Sequence, residues 1–181
     1  MVKSYWAQIE AGSNLRMVGA YHAQIEQPET ETDTDYLWVV SMLLLDIGHP
    51  QEVLRPCASL IEHFRHSGEL KSLQATLGIQ ALILKNRGDT DRALVLYKAA
   101  EHICRESGDL DGLANIIGNQ AVILAERGDL EGAMALHKKT EQICRKLGDR
   151  QGVLGALGNQ AGILRTEGDI DGAMMLLEEA E

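Results

Sequence analysis

Aromatic side chains make up only 4% of the 181 residues, with a single phenylalanine, so a platform for stacking nucleic-acid bases is excluded. Basic residues are also short: 17 Lys and Arg stand against 27 Asp and Glu, giving a net charge of -10 and a pI near 5.0. A nucleic-acid backbone is therefore not the partner, because that affinity comes from basic clusters that displace counterions. No apolar run reaches the roughly 18 to 20 residues that span a bilayer. The opening MVKSYWAQIEAG lacks the charged head, apolar core and cleavage site of a secretory signal, which makes the cytoplasm the expected location. Cysteine is scarce and odd in number, with Cys57, Cys104 and Cys144 forming no CxxC spacing. Buried, reduced thiols are the expectation.

What is abundant is self-similarity. GNQAVILAERGD at 118–129 returns as GNQAGILRTEGD forty residues later, with a looser forerunner, GIQALILKNRGD, forty residues earlier. Residues 112–141 match 152–181 at 14 of 30 positions, and 72–111 match 112–151 at 18 of 40, which fixes the period at forty. A period between about 20 and 50 residues marks stacked supersecondary units, each too small to bury its apolar face alone.

Within one unit, Leu113, Ile117, Ala121 and Leu124 fall at spacings of four, four and three, the stripe of an amphipathic helix. Gly128 ends it, since glycine takes the left-handed conformation that closes a helix, and Asp129 caps the next one. Ala133, Leu136, Thr140, Ile143 and Cys144 form a second stripe that stops at Gly148, with Asp149 as a new cap. Each unit is thus read as two antiparallel helices of about 16 residues, roughly 24 Å long. The same Gly-Asp punctuation stands at 88–89, 108–109 and 168–169. No strand signal precedes these dipeptides, so they are architectural and not phosphate loops, and no cofactor is expected. Ala81, Ala121 and Ala161, paired with Ala93, Ala133 and Ala173, are placed where two helices cross closely.

The expected organisation is a helical cap or the tail of a preceding domain with an acidic linker over 1–31, a divergent unit over 32–71, and units over 72–111, 112–151 and 152–181. The divergent unit places Ser41, Leu44, Gly48 and Val53 where Ala81, Leu84, Gly88 and Ala93 stand. The last unit stops partway through its second helix without a polar closing helix, which reads as truncation of a longer array.

Paired helices with a small residue mid-way through the first, Gly-Asp between them and an alanine four residues after the aspartate resemble tetratricopeptide repeats. The usual unit is 34 residues, whereas the forty-residue units with G-x-x-x-x-x-G-N-Q-A are similar to the long repeats of kinesin light chains, Pins-type polarity adaptors and nephrocystin-like proteins. The tryptophan and proline of the common pattern are absent. The resemblance covers residues 74–181 and implies an all-α fold, an α-α superhelix of antiparallel helix pairs. Repeats of the EQICRKLGD style also resemble the C-terminal arrays of large bacterial signalling ATPases, which makes a fragment of a larger bacterial protein the expectation and an upstream nucleotide-binding switch one alternative for the rest of it.

In such arrays the first helices of successive units line a concave groove that holds a peptide or helix. The resemblance implies that Asn119 and Asn159 match an asparagine ladder that holds the backbone of an extended partner, with Ile79 at the earlier position. An asparagine suits this role because it offers both a donor and an acceptor. Neighbouring groove candidates are Asn115, Val122 and Glu126, Lys85 and Asn86 before them, and Arg165 and Thr166 after them. The alternative is that the asparagines bond within the scaffold, together with Gln80, Gln120 and Gln160. Gly78, Gly118 and Gly158 imply close approach of a neighbouring helix or of a ligand backbone, the helix being favoured.

Chemistry finds no constellation. His63 and His66, with Glu62 or Glu69 nearby, lack a third ligand at a supporting spacing. No Cys/His pair is set for nucleophilic work. The sequence therefore points to a non-catalytic protein-interaction scaffold binding a protein or peptide, with two other readings: a sensor segment of a signalling NTPase, and a module that self-associates through its array ends.

Overall fold

The computed structural model describes residues 53–180, seven helices and no strand: α1 (Leu54–Ser67), α2 (Leu70–Asn86), α3 (Thr90–Ser107), α4 (Leu110–Glu126), α5 (Leu130–Leu147), α6 (Arg150–Glu167) and α7 (Ile170–Ala180). The expected cap over 1–31 and the first helix of the divergent unit, with Ser41, Leu44 and Gly48, lie outside the described residues. Among the described residues no helix is long and apolar enough to cross a membrane.

The punctuation works as local physics requires. Gly68, Gly88, Gly108, Gly128, Gly148 and Gly168 all have φ between 72° and 90°, a region that costs a residue with a Cβ but not glycine. The following aspartates then cap: Asp89 accepts from the backbone N–H of Arg92, Asp109 from Gly112, Asp129 from Gly132 and Asp169 from Gly172. Each such bond stabilises a helix start by about 1 kcal/mol. Asp149 departs from the expected pattern and makes no such bond. Its carboxylate and the thiol of Cys144 crowd the same point beside Gly152, so it faces the thiol instead of the helix amides.

Packing follows the stripes. Ala81, Ala93, Ala121 and Ala133 are fully buried at 0% exposure, and Ala161 and Ala173 nearly so, which lets consecutive helices close on one another at the centre of each pair. Val53, Cys57, Leu60, Phe64, Leu77, Tyr97, Leu113 and Ile117 belong to one continuous core running from α1 into α4. Cys57, Cys104 and Cys144 are free and buried. Burial pushes the Cys57 thiol up to about 12 and, with Asp109 and Glu101 adding to it, the Cys104 thiol up to about 11. These thiols stay protonated and inert.

Each helix packs on the next in the chain, but the two sides of the stack differ. The backbones of the first helices of successive pairs, α2, α4 and α6, approach one another more closely than those of α3 and α5 or of α5 and α7, the last two being joined by the ion pair of Arg145 and Glu179. A stack bends toward the side on which its elements lie closer, so α2, α4 and α6 form the inner wall.

A polar link ties each pair to the next. Gln120 on α4 donates to Glu101 on α3 at 2.8 Å, and Gln160 on α6 donates to Glu141 on α5 at 2.7 Å. Arg105 and Arg145 grip the same carboxylates through Oε1. Burial works to raise Glu101 and Glu141, but the glutamine amide and the arginine outweigh it and hold both carboxyls below their usual range. These two glutamines thus belong to the scaffold. Among the described residues Gln80 has no such partner, since Ile61 stands where a glutamate would be.

Candidate binding groove

The stripe that buries Ile117 and Ala121 leaves Asn115, Gly118, Asn119 and Val122 on the side of α4 that faces α6. From α6 come Gly152, Gly155, Ala156 and Asn159, and from α5 beneath them His137, Thr140 and Cys144. Together with Asp111 and Asp149 these residues enclose a cleft of about 240 Å³.

The cleft exists because the side chains here are smaller than one unit earlier. At the α2–α4 step the positions of Ala114, Asn119, Val122 and Ala156 are held by Gln74, Ile79, Leu82 and Ile116. A Cβ on Gly78 already meets Ile116 Cδ1 at 3.2 Å, whereas Gly118 has only Thr140 at 3.7 Å, and Gly155 and Gly158 face open space. The expectation that all three recurrent glycines admit a neighbouring helix therefore holds for Gly78 and fails for Gly158. With no side chain from a neighbouring helix near it, that glycine opens the surface instead.

The asparagines are partly engaged. Asn119 donates from Nδ2 to the carbonyl of Asn115 at 2.9 Å, and Asn115 donates to the carbonyl of Asp111 at 3.1 Å. These bonds to the preceding turn fix the amides while leaving the Oδ1 acceptors for a ligand. Asn159 is exposed and has no side-chain bond among the described residues. His137 is 2% exposed, and its Nδ1 is buried without a partner among the described residues. Burial holds its imidazole below the ordinary range, so the ring is neutral.

Four of the nine candidate residues, Asn115, Asn119, Val122 and Asn159, line this cleft. The other five do not. Lys85 and Asn86 lie in the last turn of α2, Glu126 ends α4, and Arg165 and Thr166 lie in the last turn of α6, where Thr166 bonds back to Gly162. His66 bonds to its own helix at the Glu62 carbonyl, and among the described residues no group of three His, Cys, Asp or Glu is placed to hold a metal.

Neither a family model nor a curated protein sequence matches this chain. Solved structures do. The crystal structure of BtubC (BKLC) from P. vanneervenii, a bacterial kinesin light chain-like protein of the tetratricopeptide type, aligns with a TM-score of 0.69 at 20% identity, over 99% of this chain and 70% of that one. This chain has the tetratricopeptide-type fold.

The crossing alanines recur from unit to unit, and several of the residues that line the cleft do not. His137 stands where the preceding unit has Tyr97, Gly155 where it has Asn115, and Asp111 where it has Lys71. Thr140 and Asp149 lie outside the candidates because the stripe and the caps account for them, and His137 because its identity does not recur in the other units. The available signal was the failure of His137 to repeat: a polar residue at a core position held by tyrosine one unit earlier.

Proposed function

We propose that the chain is a non-catalytic scaffold that binds an extended peptide or a helix of a partner protein along the inner wall formed by α2, α4 and α6. The observation that carries this reading is the cleft between α4 and α6, in which Asn119 and Asn159 stand one repeat apart with free amide oxygens. Main-chain donors of an extended segment match these acceptors. The direct test is selection of binding peptides from a random displayed library on the parent chain, followed by an Asn119→Ala, Asn159→Ala double variant. Binding should weaken about tenfold in the variant, with the melting temperature unchanged. Peptides that bind both proteins equally would remove the asparagines from the site.

A second reading, self-association, is favoured by α7, where Ile170, Met174, Met175 and Leu177 are exposed. An apolar face of that kind is covered by another helix or a second copy. A mass that rises with concentration, and stops doing so in a Met174→Glu, Met175→Glu variant, supports it. A constant monomer mass removes it.

A further inference from the structure

The cleft between α4 and α6 is acidic at one end. Asp111 enters it from the first turn of α4 and Asp149 from the start of α6, and no Lys or Arg lines it among the described residues. Both carboxylates bear on the thiol of Cys144, which burial raises first and these two charges raise further. Both line the cleft together with that thiol.

Two features set this end apart from an ordinary acidic surface. Asp149 is released from the capping duty that Asp89, Asp109, Asp129 and Asp169 perform, so its carboxylate is not occupied by its own helix. On the floor of the same cleft, His137 is all but inaccessible, with Nδ1 unbonded among the described residues; the hydroxyl of Tyr97, its counterpart one unit earlier, is likewise buried and unbonded there. A buried polar atom without a partner is rare in folded proteins and calls for an explanation. The acidic pair is also particular to this step of the array. One unit earlier, Lys71 replaces Asp111, and Asp109, the counterpart of Asp149, caps its helix.

We propose that this cleft receives a lysine or arginine side chain of the partner segment, its cationic head set between Asp111 and Asp149 while the segment's main chain runs past Asn119 and Asn159. The proposal rests on the groove reading above and adds the charge class of the ligand. The net charge of -10 favours encounter with such a segment and disfavours an acidic one.

The test uses the full chain and peptides selected on it from a random displayed library, with Asp111→Asn and Asp149→Asn introduced together. Asparagine keeps the helix start at 149, because it serves as a cap about as well as aspartate. The expected result is a selected set enriched in Lys and Arg whose affinity falls about fivefold in the double variant at low salt. That difference should vanish near 1 M salt, where the Debye length is about 3 Å. Replacing the peptide's Lys or Arg by Gln should cost the same factor against the parent and nothing against the variant.

Peptides that lose binding in the Asn119→Ala, Asn159→Ala variant but are neutral or acidic, and indifferent to the aspartates, overturn the cationic assignment and leave the groove reading standing. Peptides indifferent to both pairs, or no binding peptides at all, overturn both.

Discussion

Gln120 on α4 reaches back nineteen residues to Glu101 on α3, donating from Nε2 to Oε2 at 2.8 Å, and Gln160 repeats the reach to Glu141 forty residues later. The bond crosses from the second helix of one pair to the first helix of the next. It is a polar fastening between successive units, and at the other end of α4 Arg127 adds another by donating to Thr90 and Asp91 of α3. Truncating the glutamine leaves a half-buried carboxylate short of one donor. Gln120→Ala should therefore lower unfolding stability by about 1 to 3 kcal/mol, the cost of an unmet polar group near charge. Gln80→Ala, which faces Ile61 in place of an acid, should cost clearly less. Urea unfolding of both variants checks this, and equal losses would contradict it.

The same carboxylates set a pH response. Glu101 and Glu141 titrate lower in the folded chain than their ordinary 4.5, so they stabilise the fold at any pH above that value, and the contribution is lost as pH falls through their folded values. His137, lowered from 6.5 by burial, acts with the same sign in a higher window: the unfolded chain takes up the proton first, so stability falls as pH drops below 6.5. Thermal melts across pH should show two descending steps. His137→Gln should remove the upper step alone, and Glu101→Gln with Glu141→Gln the lower.

Glycines on the inner wall divide by what stands beside them. Gly155 and Gly158 are exposed with nothing within 4 Å of a Cβ, so alanine at each should raise stability by up to about 1 kcal/mol through helix propensity. Gly152→Ala places its methyl against Asp149 Oδ2 and Cys144 Sγ and should lower stability instead. Opposite signs in the melting shifts are the expected outcome. Uniform gains would mean that α6 begins differently.

Ala121 and Ala133 are both fully buried where α4 and α5 meet. Leucine at either position should overpack the crossing and destabilise by roughly 1 to 3 kcal/mol. Unchanged stability would place the crossing elsewhere.

The repeat, the glycine ends, the aspartate caps and the crossing alanines were legible because each is local: a φ above zero requires glycine, and a close crossing requires a small residue. The groove was legible only in part. Asn115, Asn119, Val122 and Asn159 share a face by helical spacing, and that face can be read from a period. Whether the face is open depends on volumes contributed by three helices at once. Ile116 closes on Gly78 at one step, where Ala156 leaves Gly118 open at the next, a joint property that no single helix displays. Glu126, Arg165 and Thr166 lie at the far ends of α4 and α6, beyond the residues that line the cleft, and Lys85 and Asn86 end α2, which does not line it. Asp149 has the same Gly-Asp context as its four counterparts, and Asp109, which does cap, has Cys104 at the same spacing as Cys144, so the departure of Asp149 cannot be read from the sequence.

The central claim is that a partner segment lies across α4 and α6 on the inner wall. The most direct test is amide chemical-shift mapping of the isotope-labelled chain during titration with a peptide selected on it. The account predicts that the largest shifts fall on Gly118, Asn119, Gly155 and Asn159, with the side-chain amides of both asparagines moving alongside them. Shifts confined to α7, around Ile170, Met174 and Met175, would contradict it and locate recognition at the end of the array.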